Sequence, residues 1–187
     1  RLSQSIDTLS RPRIEKALSV DARSRLRKLE VLALTESTNS RLFAVTDLPP
    51  GSADVCIAEF QSAGRGRRGR SWTAPYGGGL CLSLSWQFSD SPRQIGALSL
   101  ATGVGVLRAL REQGVSGVGL KWPNDIIAQG RKLGGILIEL RAETAGPAYV
   151  VLGIGLNVQL SRQARRAIEA SGVAAVDLAE MSAPTEA

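Results

Sequence analysis

The sequence of 187 residues predicts an α/β (α+β) domain built on a mixed β-sheet flanked by helices. Three observations predict this fold class: short apolar segments with the period of strands, one long segment with the period of a helix, and hairpin-like pairs of strands. The length fits one domain with a sizeable core, with or without a short appendage. No internal repeat is visible in the sequence.

The first 30 residues are rich in charged residues and differ in composition from the rest of the chain. The segment RPRIEKALSVDARSRLRKLEV suggests one or two short helices, with Ile14, Leu18 and Leu26 facing inward. We therefore predict an N-terminal helical or linker segment over residues 1–30, followed by one larger domain over residues 31–187.

Three strands are predicted in the first half of the second region. VLALTESTNS, from Val31, reads as a strand that ends in a polar turn, and its STNS supplies helix-cap residues before residues 41–45. ADVCIAEF is a short apolar strand. GLCLSLSWQF alternates apolar and small polar residues, which indicates a strand with one buried face.

The segment DSPRQIGALSLATGVGVLRALREQG is the strongest predicted helix. Ser91 can cap it, Pro92 fits its first turn, and Gly114 can end it. Its apolar residues share one face: Ala97, Leu100, Ala101, Val104 and Leu107.

The region after this helix predicts further strands. VGLKWPNDIIAQGRKLGGILIELRA reads as strand, turn and strand, in which residues 123–125 break the chain and Gln129 with Gly130 makes a tight turn. AYVVLGIGLNVQL is another strand. Residues 161–187 are rich in alanine and arginine and are predicted to be helical at first.

The composition excludes several classes of mechanism. A net charge of +6 favours anionic partners in general, while an aromatic content of 4% argues against a broad stacking surface for single-stranded nucleic acid. The absence of histidine excludes Ser-His-Asp triads, Cys-His pairs and His-ligated zinc.

The two cysteines lie in apolar runs and lack CxxC spacing. We predict that Cys56 and Cys81 are buried free thiols in a reducing cytosol, with a redox or nucleophilic role as the alternative. No stretch carries 18 consecutive apolar residues, so the sequence predicts no transmembrane segment and a cytoplasmic location.

Residues 61–72, QSAGRGRRGRSW, alternate four arginines with three glycines. Glycine lets backbone N–H groups approach an anion closely, and arginine can bind carboxylate or phosphate with two hydrogen bonds. From the loop alone three interpretations stay open: a loop that closes over an anionic ligand, a nucleic-acid-binding arm, and an inert basic loop. The phosphate-loop pattern GxxxxGK[ST] is absent.

Three shorter motifs are further candidates for a site. In KWPND, Lys121 follows a strand and can bind phosphate, although the next residues can equally cap the turn. In RKLGGILIE, Gly134 and Gly135 either make room for a ligand or mark a β-bulge. In GIGLN, Asn157 can either hydrogen-bond the edge of a purine through its side-chain amide or serve as a turn residue.

Taken in order, ESTN, QSAGRGRRGRSW, LSLSW, KWPND, RKLGGILIE and GIGLN resemble the catalytic domain of the biotin protein ligases, the bacterial bifunctional ligase/repressor family. The resemblance covers residues 32–157, and GRGRRGRSW joined to KWPND is its most specific part. It implies the fold shared with class II aminoacyl-tRNA synthetases. It also implies that ATP and Mg²⁺ activate biotin to biotinyl-5′-AMP, and that biotin then passes to a lysine of the biotin carboxyl carrier domain of acetyl-CoA carboxylase.

The resemblance also implies a role for individual residues. The implied biotin-binding residues are Ser37, Thr38, Asn39, Gln61, Arg65, Gly66, Arg67, Lys121, Gly134 and Gly135. The implied residues for ATP and the adenylate are Arg67, Arg70, Trp72, Lys121, Lys132 and Asn157. Lys121, matching the lysine that contacts the reacting carboxyl and phosphate, and Arg67 are the expected catalytic residues, Trp72 would pack on adenine, and no metal ligand is indicated.

The resemblance leaves other expectations and alternatives. A complete N-terminal helix-turn-helix and the family's C-terminal SH3-like domain are expected to be missing here, so DNA is not an expected partner. Family members often dimerise through a sheet edge, so a homodimer stays open. The alternatives are a lipoate or octanoate ligase or transferase of related fold, and a non-enzymatic nucleic-acid-binding protein that uses the Arg/Gly loop.

Overall fold

The computed structural model describes residues 8–89, 95–142 and 147–182, without the side chains of residues 95 and 96. The strands are β1 (Leu26–Leu32), β2 (Ala53–Ala58), β3 (Gly79–Phe88), β4 (Val118–Lys121), β5 (Asp125–Ala128), β6 (Arg131–Ala142) and β7 (Ala148–Asn157). The helices are α1 (Arg11–Ala17), α2 (Val20–Arg25), α3 (Thr38–Phe43), α4 (Ile95–Glu112), α5 (Arg162–Glu169) and α6 (Leu178–Ser182). Within these ranges, no helix is long and apolar enough to cross a membrane.

The seven strands form one sheet in the order β1-β2-β3-β7-β6-β5-β4. Only β1 and β2 pair in parallel, and every other neighbouring pair is antiparallel. Strands β4 to β7 follow one another through short connections, and α4 lies between β3 and β4 in the chain. β3 therefore pairs with β7 although α4 and three strands separate the two in sequence. This mixed sheet flanked by helices confirms the predicted fold class.

The first strand begins earlier than the sequence predicts. β1 begins at Leu26 rather than Val31, so the sheet includes the end of the segment that we assigned to the N-terminal region. Helices α1 and α2 confirm the short helices expected before it. The division of the chain into residues 1–30 and 31–187 stays a prediction.

The region read as strand, turn and strand contains one strand more. β5 lies between two turns, the first of which holds the cis peptide bond Trp122–Pro123. In the second turn, Gln129 and Gly130 both have positive φ values, of 52° and 72°. Two consecutive residues with positive φ suit the two-residue turn of a hairpin, and this turn joins β5 to β6.

The long helix is confirmed, and so is its end. Gly114 has a φ of 81°, and the N–H of Val115 donates to the carbonyl of Leu110 at 2.9 Å, the closing hydrogen bond of a Schellman motif. The predicted cap at Ser91 and the proline at 92 lie outside the described residues.

The apolar face read from the sequence of α4 is not its buried face. Leu100 and Val104 are each 42% exposed, whereas Gly103 and Leu110 are buried against the sheet. A Cβ on Gly103 would stand 2.7 Å from Leu120 Cδ2, so this glycine lets the helix approach β4 closely. The helix therefore faces the sheet with Gly103.

Opposite faces of the sheet carry separate apolar clusters. The residues buried beneath α4 are Leu110, Val118, Ile126, Ala128, Leu133, Ile136, Leu156 and Val176. The residues buried around α3 are Leu42, Leu48, Cys56, Tyr149 and Val151. α3 covers only one end of its face, and the rest of that face is free to form a site.

Both cysteines are buried and free, as predicted. Burial raises the pKa of the Cys56 and Cys81 thiols to about 11 each, so at pH 8 only about one thiol in a thousand is ionised. We expect neither cysteine of the native protein to be alkylated by iodoacetamide at pH 8 within an hour, and both to be alkylated in urea. Mass spectrometry of the intact protein measures this, and rapid labelling of the native protein would support the nucleophilic alternative.

Candidate active site

A cavity of about 490 Å³ lies over the sheet face that α3 leaves uncovered. Its floor consists of alternate residues of two neighbouring strands: Gly135 and Leu137 of β6, and Gly153, Gly155 and Asn157 of β7. Alternate residues of a strand point to the same face, so the glycines form a shallow depression in the sheet.

Two of these glycines make room for side chains of other segments. A Cβ on Gly153 would stand 2.1 Å from Oδ1 of Asn39, and a Cβ on Gly155 would stand 2.5 Å from Cε2 of Trp72. Both distances are too short for any side chain. Asn39 and Trp72 therefore reach the floor of the cavity only because β7 carries glycine beneath them.

One wall of the cavity is the beginning of α3. Ser37 caps this helix by accepting a hydrogen bond from the N–H of Ser40 at 3.3 Å, and Thr38 and Asn39 follow as buried residues of its first turn. The N–H of Thr38 donates to Oε1 of Gln61 at 2.8 Å. The cap thus places three short polar residues on the wall of the cavity, beside the amide of Gln61.

A chain of hydrogen bonds gives this wall a defined polarity. Oγ of Ser83 lies 2.6 Å from Oδ1 of Asn39 and 2.7 Å from Oγ1 of Thr38. Oδ1 of Asn39 can only accept, so it takes the single hydroxyl proton of Ser83. Oγ1 of Thr38, which also lies 3.0 Å from Oε1 of Gln61, then receives no proton from Ser83 and donates its own to Gln61 or to Ser83. The free lone pairs of Thr38 are then available to a ligand that donates.

The Arg/Gly loop folds back on itself at the mouth of the cavity. The N–H of Gly66 donates to the carbonyl of Arg70 at 2.7 Å, and the N–H of Trp72 donates to the carbonyl of Gly64 at 2.9 Å. Arg68 stands at its tip with a φ of 57°, a left-handed conformation that is rare outside glycine.

Two arginines attach this loop to the rest of the site. The guanidinium of Arg65 lies 2.9 Å from Oε1 of Glu139, and that of Arg67 donates to Oδ1 of Asn124 at 3.2 Å. Asn124 is itself held, since its Nδ2 donates to the carbonyl of Ile136 at 2.9 Å. The loop cations are thereby positioned over β6 and over the KWPND turn.

A bulge in β6 brings Lys132 into the cavity. Ile126 pairs with Gly134 and Ile127 pairs with Lys132, so Leu133 is an extra residue that shifts the alternation of the strand. Lys132 therefore shares a face with Gly135, and its Nζ lies 3.6 Å from the place of a Cβ on that glycine.

The backbone and the charge of Lys132 are both held in place. Its N–H donates to Ala174 at 2.8 Å, and its carbonyl accepts from Val176 at 3.0 Å and from Nδ2 of Asn157 at 3.2 Å. Its Nζ lies 2.7 Å from Oδ1 of Asp125, and the side chain is 22% exposed. A cation with so little freedom suits a site that must hold negative charge at a defined point.

Residues 31–157 match the biotin/lipoate A/B protein ligase family over their whole length. The chain belongs to this family. The similarity of the chain to known ligases, in sequence and in structure, agrees with the family that the motifs indicated.

Two curated ligases show the extent of the similarity. The bifunctional ligase/repressor BirA of Escherichia coli (strain K12) is 44% identical over 133 residues, which cover 71% of this chain and 41% of that protein. The biotin–[acetyl-CoA-carboxylase] ligase of Mycobacterium tuberculosis is 42% identical over 183 residues, which cover 92% of this chain and 65% of that protein. The chain thus spans less than two thirds of the length of either relative.

A solved ligase structure agrees with the fold. The biotin protein ligase from Aquifex aeolicus in complex with biotin and ATP superposes with a TM-score of 0.63 at 31% identity, over 84% of this chain and 61% of that one. The archaeal lipoate protein ligase of Thermoplasma acidophilum, at 12% identity and a TM-score of 0.50, shares the fold alone.

Most residues that the sequence assigned to a ligase site come together in the cavity. Those that line it are Ser37, Thr38, Asn39, Gln61, Arg65, Gly66, Arg67, Arg70, Trp72, Lys132, Gly135 and Asn157. Their roles toward a ligand stay predictions, but the geometry now places them around one volume.

Lys121 and Gly134 are the two exceptions. Lys121 is exposed at the end of the edge strand β4, three strands from β7 and so roughly 14 Å away across the sheet. Gly134 faces away from the cavity, because a strand alternates its side chains, and a Cβ there would stand 2.5 Å from the carbonyl oxygen of Gly155. The sequence placed both residues at the site, and the structure does not.

Sequence reasoning missed one whole wall of the cavity. Its residues lie in and after α5: Ala167, Ile168, Ser171, Val173 and Ala175. Arg165 holds this segment by ion pairs to Asp177 at 2.8 Å and to Glu180 at 2.9 Å. No sequence signal pointed here, because the contacts join residues of the chain end to β6.

Three further lining residues had partial signals. Gly153 and Gly155 belong to GIGLN, in which only Asn157 was given a candidate role, and Asn124 belongs to KWPND, where a turn cap was one interpretation. The available signal was the spacing of two residues between Gly153, Gly155 and Asn157, which places these three residues on one face of a strand.

Proposed function

We propose that this chain joins biotin to AMP at the expense of ATP and then transfers biotin to a lysine of a biotin carboxyl carrier protein. One observation carries the proposal: a single cavity is lined both by fixed cations and by a buried neutral hydrogen-bonding turn. The cations suit a carboxylate and a triphosphate, and the neutral turn suits the ureido group of biotin, which offers N–H donors and one carbonyl.

In the first step a biotin carboxylate oxygen attacks the α-phosphorus of ATP, a P–O bond breaks, and pyrophosphate leaves. Two anions must approach each other, and like charges 4 Å apart repel by about 4 kcal/mol at an effective dielectric constant of 20. Lys132, Arg65 and Arg67 line the cavity and can offset this repulsion without any proton transfer. We therefore assign to Lys132 the role that the sequence gave to Lys121.

The adenine would lie at Trp72 and Asn157. Nδ2 of Asn157 donates to the carbonyls of Lys132 and Val176. These two bonds fix the amide group, with its oxygen on the side away from both carbonyls. Among the residues that the structure describes, that buried Oδ1 has no hydrogen-bond partner, and neither has Nε1 of Trp72. A buried acceptor without a partner is rare in proteins, and an exocyclic amine of adenine would satisfy it.

In the second step the amine of the carrier lysine attacks the carbonyl carbon of the mixed anhydride, and AMP leaves with the bonding electrons. An amide forms and the amine loses a proton, for which we assign no base. The Arg/Gly loop lies at the mouth of the cavity, where closure over the adenylate would exclude water and prevent its hydrolysis.

Other parts of the proposal concern the surroundings of the site. In the described part of the chain, no three His, Cys, Asp or Glu side chains are grouped to hold a metal ion, and Asp125 is paired with Lys132. The proposal therefore assigns no protein ligand to Mg²⁺, which ATP carries on its phosphates. We place the protein in the cytoplasm, where ATP is available, and we leave a dimer through β1 or β4 to sedimentation measurements.

The proposal is tested by incubating the protein with biotin, Mg·ATP and a biotin carboxyl carrier domain. Mass spectrometry should show the gain of one biotinyl group on a carrier lysine, and no gain without ATP. Lipoate in place of biotin is the control for the related ligases, and a short DNA duplex is the control for a nucleic-acid-binding role. Transfer of lipoate but not biotin, or salt-sensitive DNA binding alone, would overturn the proposal.

Replacing Arg67 with glycine should weaken retention of the adenylate. The substitution removes the hydrogen bond to Asn124 and one cation from the cavity, so we expect biotinyl-5′-AMP to dissociate about 10 to 100 times faster. Release of radiolabelled adenylate from the loaded enzyme measures the rate. Arg166→Gly, on α5 and outside the cavity lining, is the control, and equal rates for wild type and Arg67→Gly would remove Arg67 from the site.

A further inference from the structure

Glu139 of β6 connects two parts of the site without lining the cavity itself. Its Oε1 lies 2.9 Å from the guanidinium of Arg65, and its Oε2 accepts from Nδ2 of Asn39 at 2.9 Å. The side chain is only 17% exposed, so water competes weakly for either oxygen. One carboxylate thus holds the Arg/Gly loop and the α3 turn together.

The contact with Asn39 decides which way the amide of that residue points. An ionised carboxylate can only accept hydrogen bonds, so the NH₂ group of Asn39 must face Glu139, and its oxygen must face Ser83. That orientation makes Ser83 the donor to Asn39, so Thr38 receives no proton from Ser83 and donates its own to Gln61 or to Ser83. Glu139 therefore determines, through three residues, that Thr38 presents lone pairs to the cavity.

The contact with Arg65 holds the loop. The loop carries four arginines within six residues, which repel one another and favour an open, solvated loop. Arg65 is half-exposed, and besides Glu139 its guanidinium donates to Oγ of Ser40 at 3.3 Å. Glu139 is the carboxylate that opposes the repulsion at this point of the loop.

We propose that Glu139 is a positioning residue that couples the α3 turn to the Arg/Gly loop. It orients the amide of Asn39 and holds Arg65 at the mouth of the cavity, so that loop position and polarity of the turn depend on one carboxylate. The coupling itself follows from the contacts in this chain, and only its consequence for biotin rests on the proposed function.

Glu139→Gln is the sharpest test, because glutamine has nearly the same shape. Its oxygen can still accept from Asn39, but its NH₂ group faces Arg65 and the charge is lost. Without any ligand, we expect trypsin to cleave the loop after Arg65, Arg67, Arg68 or Arg70 at least about five times faster than in the wild type, since cleavage follows local opening. Mass spectrometry of the fragments measures the rate.

Glu30→Gln is the matched control. Glu30 lies on β1, away from the cavity, and Arg41 donates to it at 2.7 Å, which lowers the pKa of Glu30 to about 2. This variant also loses a close carboxylate–arginine pair, but its loop should be cleaved at the wild-type rate. An unchanged cleavage rate in Glu139→Gln, or an equal increase in both variants, overturns the proposal.

Calorimetry with biotin separates this inference from the proposed function. Glu139→Gln should bind biotin about 10-fold more weakly than wild type, which corresponds to about 1.4 kcal/mol. If wild type itself fails to bind biotin while loop cleavage rises in the variant, the proposed function fails and the coupling stands. If wild type binds biotin and Glu139→Gln behaves like it in both measurements, the coupling fails.

A second variant covers the case in which Glu139→Gln does not fold, as judged from its thermal unfolding. Arg65→Gln breaks the same ion pair from the exposed loop and leaves Asn39 bonded to Glu139. Cleavage after Arg67, Arg68 or Arg70 should again rise about fivefold. A wild-type rate in this variant contradicts the proposal.

Discussion

Lys132→Met is expected to lower the rate of biotinyl-adenylate formation by roughly 1,000-fold, the size of effect typical for removing one fixed charge from a developing anion. The bulge at Leu133 turns Lys132 into the cavity, and its backbone bonds to Ala174, Val176 and Asn157 hold it there. Methionine keeps most of the length of the side chain and removes the charge. Biotin-dependent release of pyrophosphate in a single turnover measures the effect.

Lys121→Met is the matched control, because it makes the same change at the lysine that sequence reasoning preferred. Lys121 is exposed on the edge strand β4, so its loss should leave the rate within about twofold. Lys132→Met also leaves Asp125 without its partner at 2.7 Å, so Asp125→Asn/Lys132→Met is measured alongside to remove the unpaired charge. A defect in Lys121→Met with none in Lys132→Met would reverse the assignment.

Gly153→Ala is expected to weaken the binding of biotin by at least about 100-fold while the protein stays folded. A Cβ at this position would stand 2.1 Å from Oδ1 of Asn39, so the asparagine must leave the cavity floor. Its movement breaks the hydrogen bonds to Ser83 and Glu139, and buried polar groups without partners cost about 1–3 kcal/mol each. Calorimetric titration with biotin measures the loss.

Gly119→Ala is the control for a glycine in a strand. Gly119 lies on β4, and a Cβ there would meet only Ile127 Cγ1, at 3.9 Å, an ordinary contact. We expect wild-type affinity for biotin and an equal or slightly higher melting temperature. Wild-type affinity in Gly153→Ala would show that Asn39 does not contact biotin, whereas unfolding of that variant alone would make Glu139→Gln the test of the same network.

Local patterns predicted most of the elements. GLCLSLSWQF became β3 over the predicted residues, and Ser37 caps α3 as STNS suggested. The two failures have different causes. The buried face of α4 is set by the close approach of Gly103 to Leu120, a contact between separate segments, whereas β5 has only four residues between two turns and is too short to show a period.

The candidate site shows the same contrast between what local motifs predict and what depends on the fold. Motifs placed twelve of the fourteen predicted residues on the cavity, because each motif combines residue types with one chemistry at a turn or a strand end. The motif could not show that Lys121 lies outside the cavity, because nothing local distinguishes an edge strand from an inner one, and the role of Lys121 toward a ligand stays a prediction. Glu139 and the wall after α5 escaped notice because an isolated acidic residue and an alanine-rich segment carry no pattern.

The sequence by itself determined the fold class and the family and indicated the chemistry that we propose, since a Gly/Arg loop, a capped polar turn and a histidine-free composition can all be read without the fold. Only the tertiary structure decided which lysine enters the cavity, which glycines carry its floor and which carboxylate joins the loop to the turn. The physical reason is that strand order, the register shift at Leu133 and close packing bring together atoms from distant segments. Such contacts depend on where the strands meet, and no spacing within one segment encodes that.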